Sequence, residues 1–280
     1  MLTESTLDSR PDMKRIFSKV PEVTLYFWII KVLATTVGET AADYLGKHFN
    51  YTTDCSGADG CVKVPNLTTT TIIMSAILAL ALVFQLKSRR YVPSRYWVCV
   101  VLLSVVGTLV TDNLVDHFGA SLTVCTIVFA AAMFATFGAW YASEGTLSIH
   151  SIYTTKRELL YWLAILFTFA LGTAAGDLFA EKLKLGYWKS ALLFLGIILA
   201  VGLACRFMKL NMILGFWIAY VLTRPLGAST GDYLSQPKDV GGLNLGTTVT
   251  SAIFLSLILA VVVYMTVNKQ DATVVADEHR

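Results

Sequence analysis

Charged residues are scarce in this chain. They make up 15% of its 280 residues, against about 25% in a typical soluble domain. The formal net charge is only +3, so no strong basic field is available to attract a polyanion. These shortages exclude a soluble enzyme domain, a disordered tail protein and a nucleic-acid-binding protein. Apolar residues are abundant instead, at 55% with a mean hydropathy of +0.63, which is typical of membrane proteins.

Cysteine is also scarce. Five cysteines are too few for a disulfide-rich scaffold, and Cys99, Cys125 and Cys205 lie in long apolar runs, where a cysteine packs as a small core residue. Cys55 and Cys61 share a polar loop instead. In an oxidising compartment this pair is able to form a short disulfide, and the sequence leaves that alternative open against two free thiols. A zinc pair is disfavoured because no further cysteine is near.

Apolar segments long enough to cross a bilayer, about 20 residues each, occur eight times along the chain. The sequence therefore predicts an all-α integral membrane helical bundle with eight transmembrane helices in a single domain, 21–267. Polar tails flank this domain at 1–20 and 268–280. The predicted spans are 21–44, 68–87, 96–114, 120–142, 158–180, 189–208, 211–234 and 245–267.

Lysine and arginine are unevenly divided between the two sets of connecting segments. With the N-terminus inside, fourteen lie on the cytoplasmic side and seven on the opposite side. An excess of basic residues in short loops marks the cytoplasmic side of a membrane protein. The distribution therefore predicts that both termini are cytoplasmic and that the loop with Cys55 and Cys61 is outside.

An internal repeat is the strongest signal in the sequence. An aromatic residue and a tryptophan are followed after nine residues by glycine and after four more by aspartate, four times without gaps. The repeats predict four parallel helical hairpins, at about 21–87, 96–142, 158–208 and 211–267. The copies are Phe27-Trp28, Gly38 and Asp43; Tyr96-Trp97, Gly107 and Asp112; Tyr161-Trp162, Gly172 and Asp177; and Phe216-Trp217, Gly227 and Asp232.

Each position of the repeat predicts a role. Tryptophan near the end of a span is typical of an interfacial anchor, and glycine in a span permits close helix approach. The aspartate follows its tryptophan by roughly 22 Å of helix, near the outer end of the apolar core. An ionised side chain at a helix centre costs about 2.5–3.5 kcal/mol on insertion scales and is a functional-site hypothesis by default.

The acids are the candidate functional residues. Four equivalent aspartates at one depth predict convergence on a shared cavity, with Glu39 four residues before Asp43 on the same helix face. Their oxygens suit protons and hard cations, including divalent metals. The alternative is structural: each aspartate hydrogen-bonds the turn that ends its helix. Arg224, three residues before Gly227, is predicted either to pair with one of these acids or to anchor an anionic substrate.

Two stretches carry a family resemblance. KVPEVTLYFWIIKVLATTVGETAADYL and RPLGASTGDYLSQP resemble a bacterial family described only as uncharacterised membrane-anchored proteins, over nearly the whole chain. The resemblance implies a multi-pass protein of the bacterial inner membrane and implies no established activity.

The leading functional hypothesis is a cation transporter, exporting or exchanging a divalent metal. The aspartates would bind the ion or carry the coupling protons, and no cofactor is expected beyond a bound divalent cation. The expected partners are membrane lipids and an inorganic cation, without nucleic acid; a homo-oligomer is compatible with the sequence. The first alternative is a non-transporting membrane sensor or scaffold that binds a ligand at its outer acidic turns. An organic-solute transporter anchored by Arg224 is another, whereas the spans offer no nucleophile–base pair or histidine triad for an enzyme.

Overall fold

The computed structural model describes residues 19–49, 51–54, 62–88 and 91–268. Cys55 and Cys61 and nearly all of the two predicted tails lie outside these residues. The described residues form eight long helices: α1 (Leu25–His48), α2 (Leu67–Leu86), α3 (Pro93–Asp112), α4 (Leu122–Glu144), α5 (Thr155–Asp177), α6 (Tyr187–Phe207), α7 (Met212–Ser235) and α8 (Thr247–Asn268).

Shorter elements connect these helices. A hairpin of β1 (Tyr51–Asp54) and β2 (Val62–Pro65) joins α1 to α2, with Tyr51 opposite Pro65 in an antiparallel register. Short π-helical turns, Asn113–His117 and Leu178–Lys182, extend α3 and α5. Turns of 3₁₀ helix occur at Ile149–Ser151 and Lys238–Val240. The hairpin is a small addition to the predicted all-α fold.

Side chains just before several helices fix where they begin. The Thr24, Asn66 and Thr154 side chains each accept a hydrogen bond from a backbone N–H in the first turn of α1, α2 and α5. Such caps satisfy amides that have no partner within the helix. Pro93 opens α3, where its missing N–H and fixed φ cost nothing.

Seven helices of the described residues, α2 to α8, are long and apolar enough to cross a membrane. They fit a multi-pass membrane protein, as the hydropathy predicts. The helix α1, at the position of the first predicted span, 21–44, is not among these seven, and it carries Lys31, Glu39, Asp43 and Lys47 within 24 residues. Lys31 and Glu39 are buried by the other helices rather than exposed.

The helices form an inner ring and an outer ring. In the inner ring α1 packs against α3, α3 against α5, α5 against α7, and α7 against α1. Each outer helix covers the first helix of the next hairpin: α2 covers α3, α4 covers α5, α6 covers α7, and α8 covers α1. Buried residues make up 61%, 67% and 61% of an apolar 18-residue stretch in α3, α5 and α7, but only 11–22% of such a stretch in the outer helices. The outer helices therefore present the apolar surface.

The repeat glycines close the inner ring by one repeated contact. A Cβ atom at Gly38 would overlap Ser104, and at Gly107, Gly172 and Gly227 it would overlap Phe169, Arg224 and Thr35. Each contacted residue lies three positions before the glycine of the neighbouring inner helix. This arrangement agrees with the role predicted for these glycines in close helix approach, and it makes the four hairpins equivalent around a central axis.

We expect Gly107→Ala to destabilise the protein by about 1–3 kcal/mol, because the added methyl group must displace Phe169 and the backbone of α5. Gly138→Ala in α4 is the matched control, since a Cβ atom there meets nothing within 4 Å. Thermal unfolding of the purified variants measures the difference. Equal melting temperatures for the two variants would show that the inner ring does not depend on this contact.

The predicted interfacial role of the tryptophans is wrong for three of the four. Trp97, Trp162 and Trp217 are only 2%, 3% and 5% exposed. They pack in an aromatic cluster at the end of the bundle where the inner helices begin, hereafter the aromatic end, which includes the hydrogen-bonded hydroxyls of Tyr96 and Tyr161. The reason is ring closure, which turns these side chains toward one another instead of toward lipid.

Candidate cation-binding site

The four repeat aspartates line one cavity of about 240 Å³. It lies at the opposite end of the inner ring, hereafter the acid end, where α1, α3, α5 and α7 finish. A cavity of this volume has room for several water molecules. Its acidic lining residues are Glu39, Asp43, Asp112, Asp116, Asp177, Glu181 and Asp232.

Most of the repeat carboxylates have no hydrogen-bond partner within the described part of the chain. Asp43 accepts hydrogen bonds from Lys47 at 3.1 Å and from Gln236, the residue after α7, at 2.9 Å. Asp112, Asp177 and Asp232 accept none from any other residue that the structure describes, although Asp232 is only 6% exposed. Neither Asp112 nor Asp177 caps the turn that follows it. These side chains are therefore available to a ligand instead of being used in the turns.

A second layer of polar residues lies above the aspartates, four positions further along each inner helix. It consists of Lys47, Asp116, Glu181 and Gln236. The π-helical turns after α3 and α5 place Asp116 and Glu181 at the mouth, where both are exposed. Sequence reasoning paired Asp116 with Asp112 but missed Glu181, Gln236 and Lys47. Continuing the repeat by one helical turn beyond each aspartate would have found all three.

The floor of the cavity is a buried ion pair. Arg224 of α7 is fully buried, and its Nη2 donates to Glu39 Oε2 of α1 at 2.9 Å. The same guanidinium donates to the Thr35 carbonyl at 2.9 Å and to the Thr173 hydroxyl at 2.7 Å, and it also contacts the Thr108 hydroxyl. One arginine thereby joins all four inner helices just below the carboxylates.

A second buried cation lies beneath this floor. Lys31 is fully buried, with its Nζ 3.8 Å from the ring centre of Phe169 and 4.1 Å from that of Tyr220. Its ammonium has no hydrogen-bond partner among the described residues. Aromatic faces attract a cation, and among the described residues no carboxylate contacts this amino group as Glu39 contacts Arg224.

A polar cluster closes the aromatic end. Glu158 of α5 is fully buried and accepts from Lys19 at 2.7 Å and from Gln85 of α2 at 3.2 Å. The Trp162 indole donates to the same carboxylate at 3.4 Å. Lys19 also donates to the Leu86 carbonyl at 3.1 Å. The segment before α1 is therefore held against α2 and α5. Sequence reasoning did not single out this cluster, because its members are far apart in the chain.

The acids of the cavity are close enough to repel one another but do not form a chelate. Among the residues that the structure describes, no three His, Cys, Asp or Glu side chains come close enough to hold one metal ion. The structure thus brings together the five predicted acids and places Arg224 below them, paired with Glu39. A bound cation would contact these oxygens across water or one or two at a time.

The family comparison matches the internal repeat. A family model described as Repeat of Unknown Function (DUF347) matches the chain four times, at residues 26–91, 95–146, 160–209 and 215–271. Each match covers one of the four predicted hairpins. Comparison with curated proteins finds no match to the chain, and comparison with solved structures finds none either. Because the four matches cover most of its length, the chain belongs to the DUF347 repeat family.

Proposed function

We propose that the protein is a membrane cation transporter whose cavity at the acid end is the entry site for the cation. The observation that carries this proposal is the convergence of four equivalent aspartates on one cavity, three of them without a partner among the described residues. A ligand that fills such a site must bring positive charge, because unpaired carboxylates in a low-dielectric surrounding repel one another strongly.

The charge balance of the cavity supports a cation over an anion. Seven carboxylates line the cavity. The positive groups near them are Lys47 at the mouth and Arg224 at the floor. Both positive groups already contact carboxylates, at Asp43 and Glu39. An anionic substrate held by Arg224 would have to pass all of these acids, so the geometry disfavours Arg224 as a substrate anchor.

The spacing of the acids favours a cation that keeps water in its coordination shell. Hard divalent cations such as Mg²⁺ usually retain several waters and bind through one or two carboxylates. A cavity of about 240 Å³ with dispersed carboxylates suits this mode better than a closed shell of protein ligands does. We therefore propose a hydrated divalent metal as the cargo. The assay below uses an organic diamine as a competing cation.

The basic residues of the chain give the proposed orientation. Their excess lies in the segments at the aromatic end, which we assign to the cytoplasm of a bacterial inner membrane. The cavity then opens to the outside, and both termini are cytoplasmic. The Arg224–Glu39 pair closes the inner side of the cavity in this arrangement.

Cation uptake by the reconstituted protein tests the proposal. We expect protein-dependent uptake of Mn²⁺ into proteoliposomes, and we expect Asp177→Asn to lower its rate about tenfold or more, since it removes a carboxylate facing the cavity. Asp239→Asn, in the exposed turn Lys238–Val240, is the matched control and should transport normally. Putrescine measures competition by an organic diamine.

Two outcomes would count against the transporter. Uptake of Mn²⁺ and of putrescine no faster than in protein-free liposomes would reject transport. Equal rates for Asp177→Asn and Asp239→Asn would place the cation path away from the cavity.

A further inference from the structure

The interior between the two ends of the bundle contains several polar atoms that the packing leaves without partners. Within the described residues, Lys31 Nζ, Ser104 Oγ and Arg224 Nε are buried and make no hydrogen bond. Buried polar atoms in proteins are almost always hydrogen-bonded, to the protein or to buried water. These three atoms on inner helices are therefore candidate positions for buried water.

These atoms follow one another along the axis of the ring. Ser104 lies beside Gly38, and Arg224 reaches up to Glu39 and the cavity. Lys31 lies two helical turns below Glu39, and its ammonium is over the Tyr220 ring. These groups therefore form a line from the cavity floor to the centre of the bundle.

Further proton-exchanging groups continue toward the aromatic end. The hydroxyls of Tyr96 and Tyr161 are hydrogen-bonded to each other between α3 and α5, and both residues are fully buried. Glu158, three residues before Tyr161, belongs to the buried cluster with Lys19. Each group along this line carries an exchangeable proton.

We propose that the axis of the inner ring is a proton path, with Lys31 as its central proton carrier. A proton passes from the acid cavity through Glu39 and bridging water to the Lys31 amine, then through the hydroxyls of Tyr220, Tyr161 and Tyr96 to Glu158. No bond other than O–H and N–H bonds is made or broken, and each group returns to its starting state when the next proton arrives. The proposal rests on the proposed cation transport, because it supplies the ion exchanged against the cation.

The surroundings of Lys31 suit this role. From α7 the groups that face it are Arg224 and Tyr220, and from α5 it is faced by Phe169, with Tyr161 nearer the aromatic end. The helix α8, which packs on α1, carries no charged residue. A fixed ion pair with a carboxylate would hold the ammonium permanently, and no described carboxylate is bound to it. A proton moves along hydrogen bonds and needs no open channel, whereas a hydrated metal ion needs one, so the path carries protons while the cation stays in the cavity.

Proton flux into proteoliposomes tests the path. The vesicles hold a trapped pH-sensitive dye, an inside-negative potassium diffusion potential and, in one set, trapped Mn²⁺ as the probe cation, so that protons exchanged against it move inward. We expect the natural protein to acidify the interior, and Lys31→Met to slow acidification at least about tenfold. Tyr161→Phe, which removes one hydroxyl of the tyrosine pair, should slow it as well. Lys189→Met, at an exposed position of α6, is the matched control and should conduct normally.

The melting-temperature shift with Mn²⁺, measured on the same preparations, separates this proposal from the proposed function. A normal shift without proton flux would overturn the proton path and leave cation binding standing. Proton flux without any Mn²⁺-dependent shift in melting temperature would contradict the cation site and leave the proton path standing. Flux at the natural rate in Lys31→Met would overturn Lys31 as the carrier. If Lys31→Met fails to fold, natural flux in Tyr161→Phe would overturn the path.

Discussion

Arg224→Ala is expected to lower the free energy of unfolding by about 3–5 kcal/mol, the range for breaking a buried ion pair by removing one partner. The Glu39 carboxylate would remain buried without its counter-charge, and the Thr35 carbonyl would lose the hydrogen bond that it accepts from the guanidinium. Because this guanidinium also contacts Thr108 and Thr173, the change would loosen the contacts among all four inner helices. Thermal unfolding of the purified protein measures the effect.

Two further variants show whether the loss comes from the uncompensated charge. Adding Glu39→Gln to Arg224→Ala removes the stranded carboxylate and should restore part of the stability. Arg206→Ala, at an exposed position near the end of α6, is the matched control and should change stability by at most about 0.5 kcal/mol. If Arg224→Ala is as stable as Arg206→Ala, the ion pair between Arg224 and Glu39 does not hold the inner ring together.

Glu158→Ala is expected to cost a similar amount, about 3–5 kcal/mol. The change leaves the Lys19 ammonium, which is 8% exposed, without its carboxylate, and it removes the acceptor for Gln85 and Trp162. The melting temperature of this variant is compared with that of Glu22→Ala, whose carboxylate is 28% exposed and lies 3.3 Å from His150. A surface pair of that kind contributes at most about 1 kcal/mol. Equal losses in the two variants would contradict a structural role for the Glu158 cluster.

Helices and repeats could be read from the sequence because both depend on local pattern. Apolar runs of membrane length predict helices wherever backbone groups cannot reach water, and the predicted spans lie within a few residues of α1 to α8. The spacing of Gly38 and its equivalents predicted close helix approach, which the contacts of Gly38 with Ser104 and of Gly227 with Thr35 show.

Contacts between distant residues could not be read in the same way. The order of helices in the ring decides that Trp97 and Trp162 face inward, and no local pattern contains that order. The same applies to the choice of Glu39, 185 positions away, as the partner of Arg224. The π-helical turns at Asn113–His117 and Leu178–Lys182 depend on one extra residue per turn, a change too small for hydropathy to detect. These features place Asp116 and Glu181 at the mouth of the cavity.

The central claim is that the four repeat aspartates form one site. If so, Asp112→Asn or Asp177→Asn removes a charge that repels its neighbours, so each variant should melt higher than the natural protein without cation. Each should also lose most of the rise in melting temperature that a divalent cation produces, because the change removes one of the charged carboxylates that bind the cation. Four separate turns would instead respond independently, and asparagine would serve each turn as well as aspartate.

The most direct measurement is the melting temperature of Asp112→Asn, Asp177→Asn and the double variant, with and without Mn²⁺ or Mg²⁺. A shared site predicts that the effects of the two changes depart from additivity by about 0.5 kcal/mol or more, as for residues in one electrostatic network. Asp112→Asn combined with Asp239→Asn, in the exposed turn Lys238–Val240, is the control pair and should be additive. If no divalent cation shifts the natural protein, or if the Asp112 and Asp177 changes add as the control pair does, the aspartates are independent and the shared cation site is contradicted.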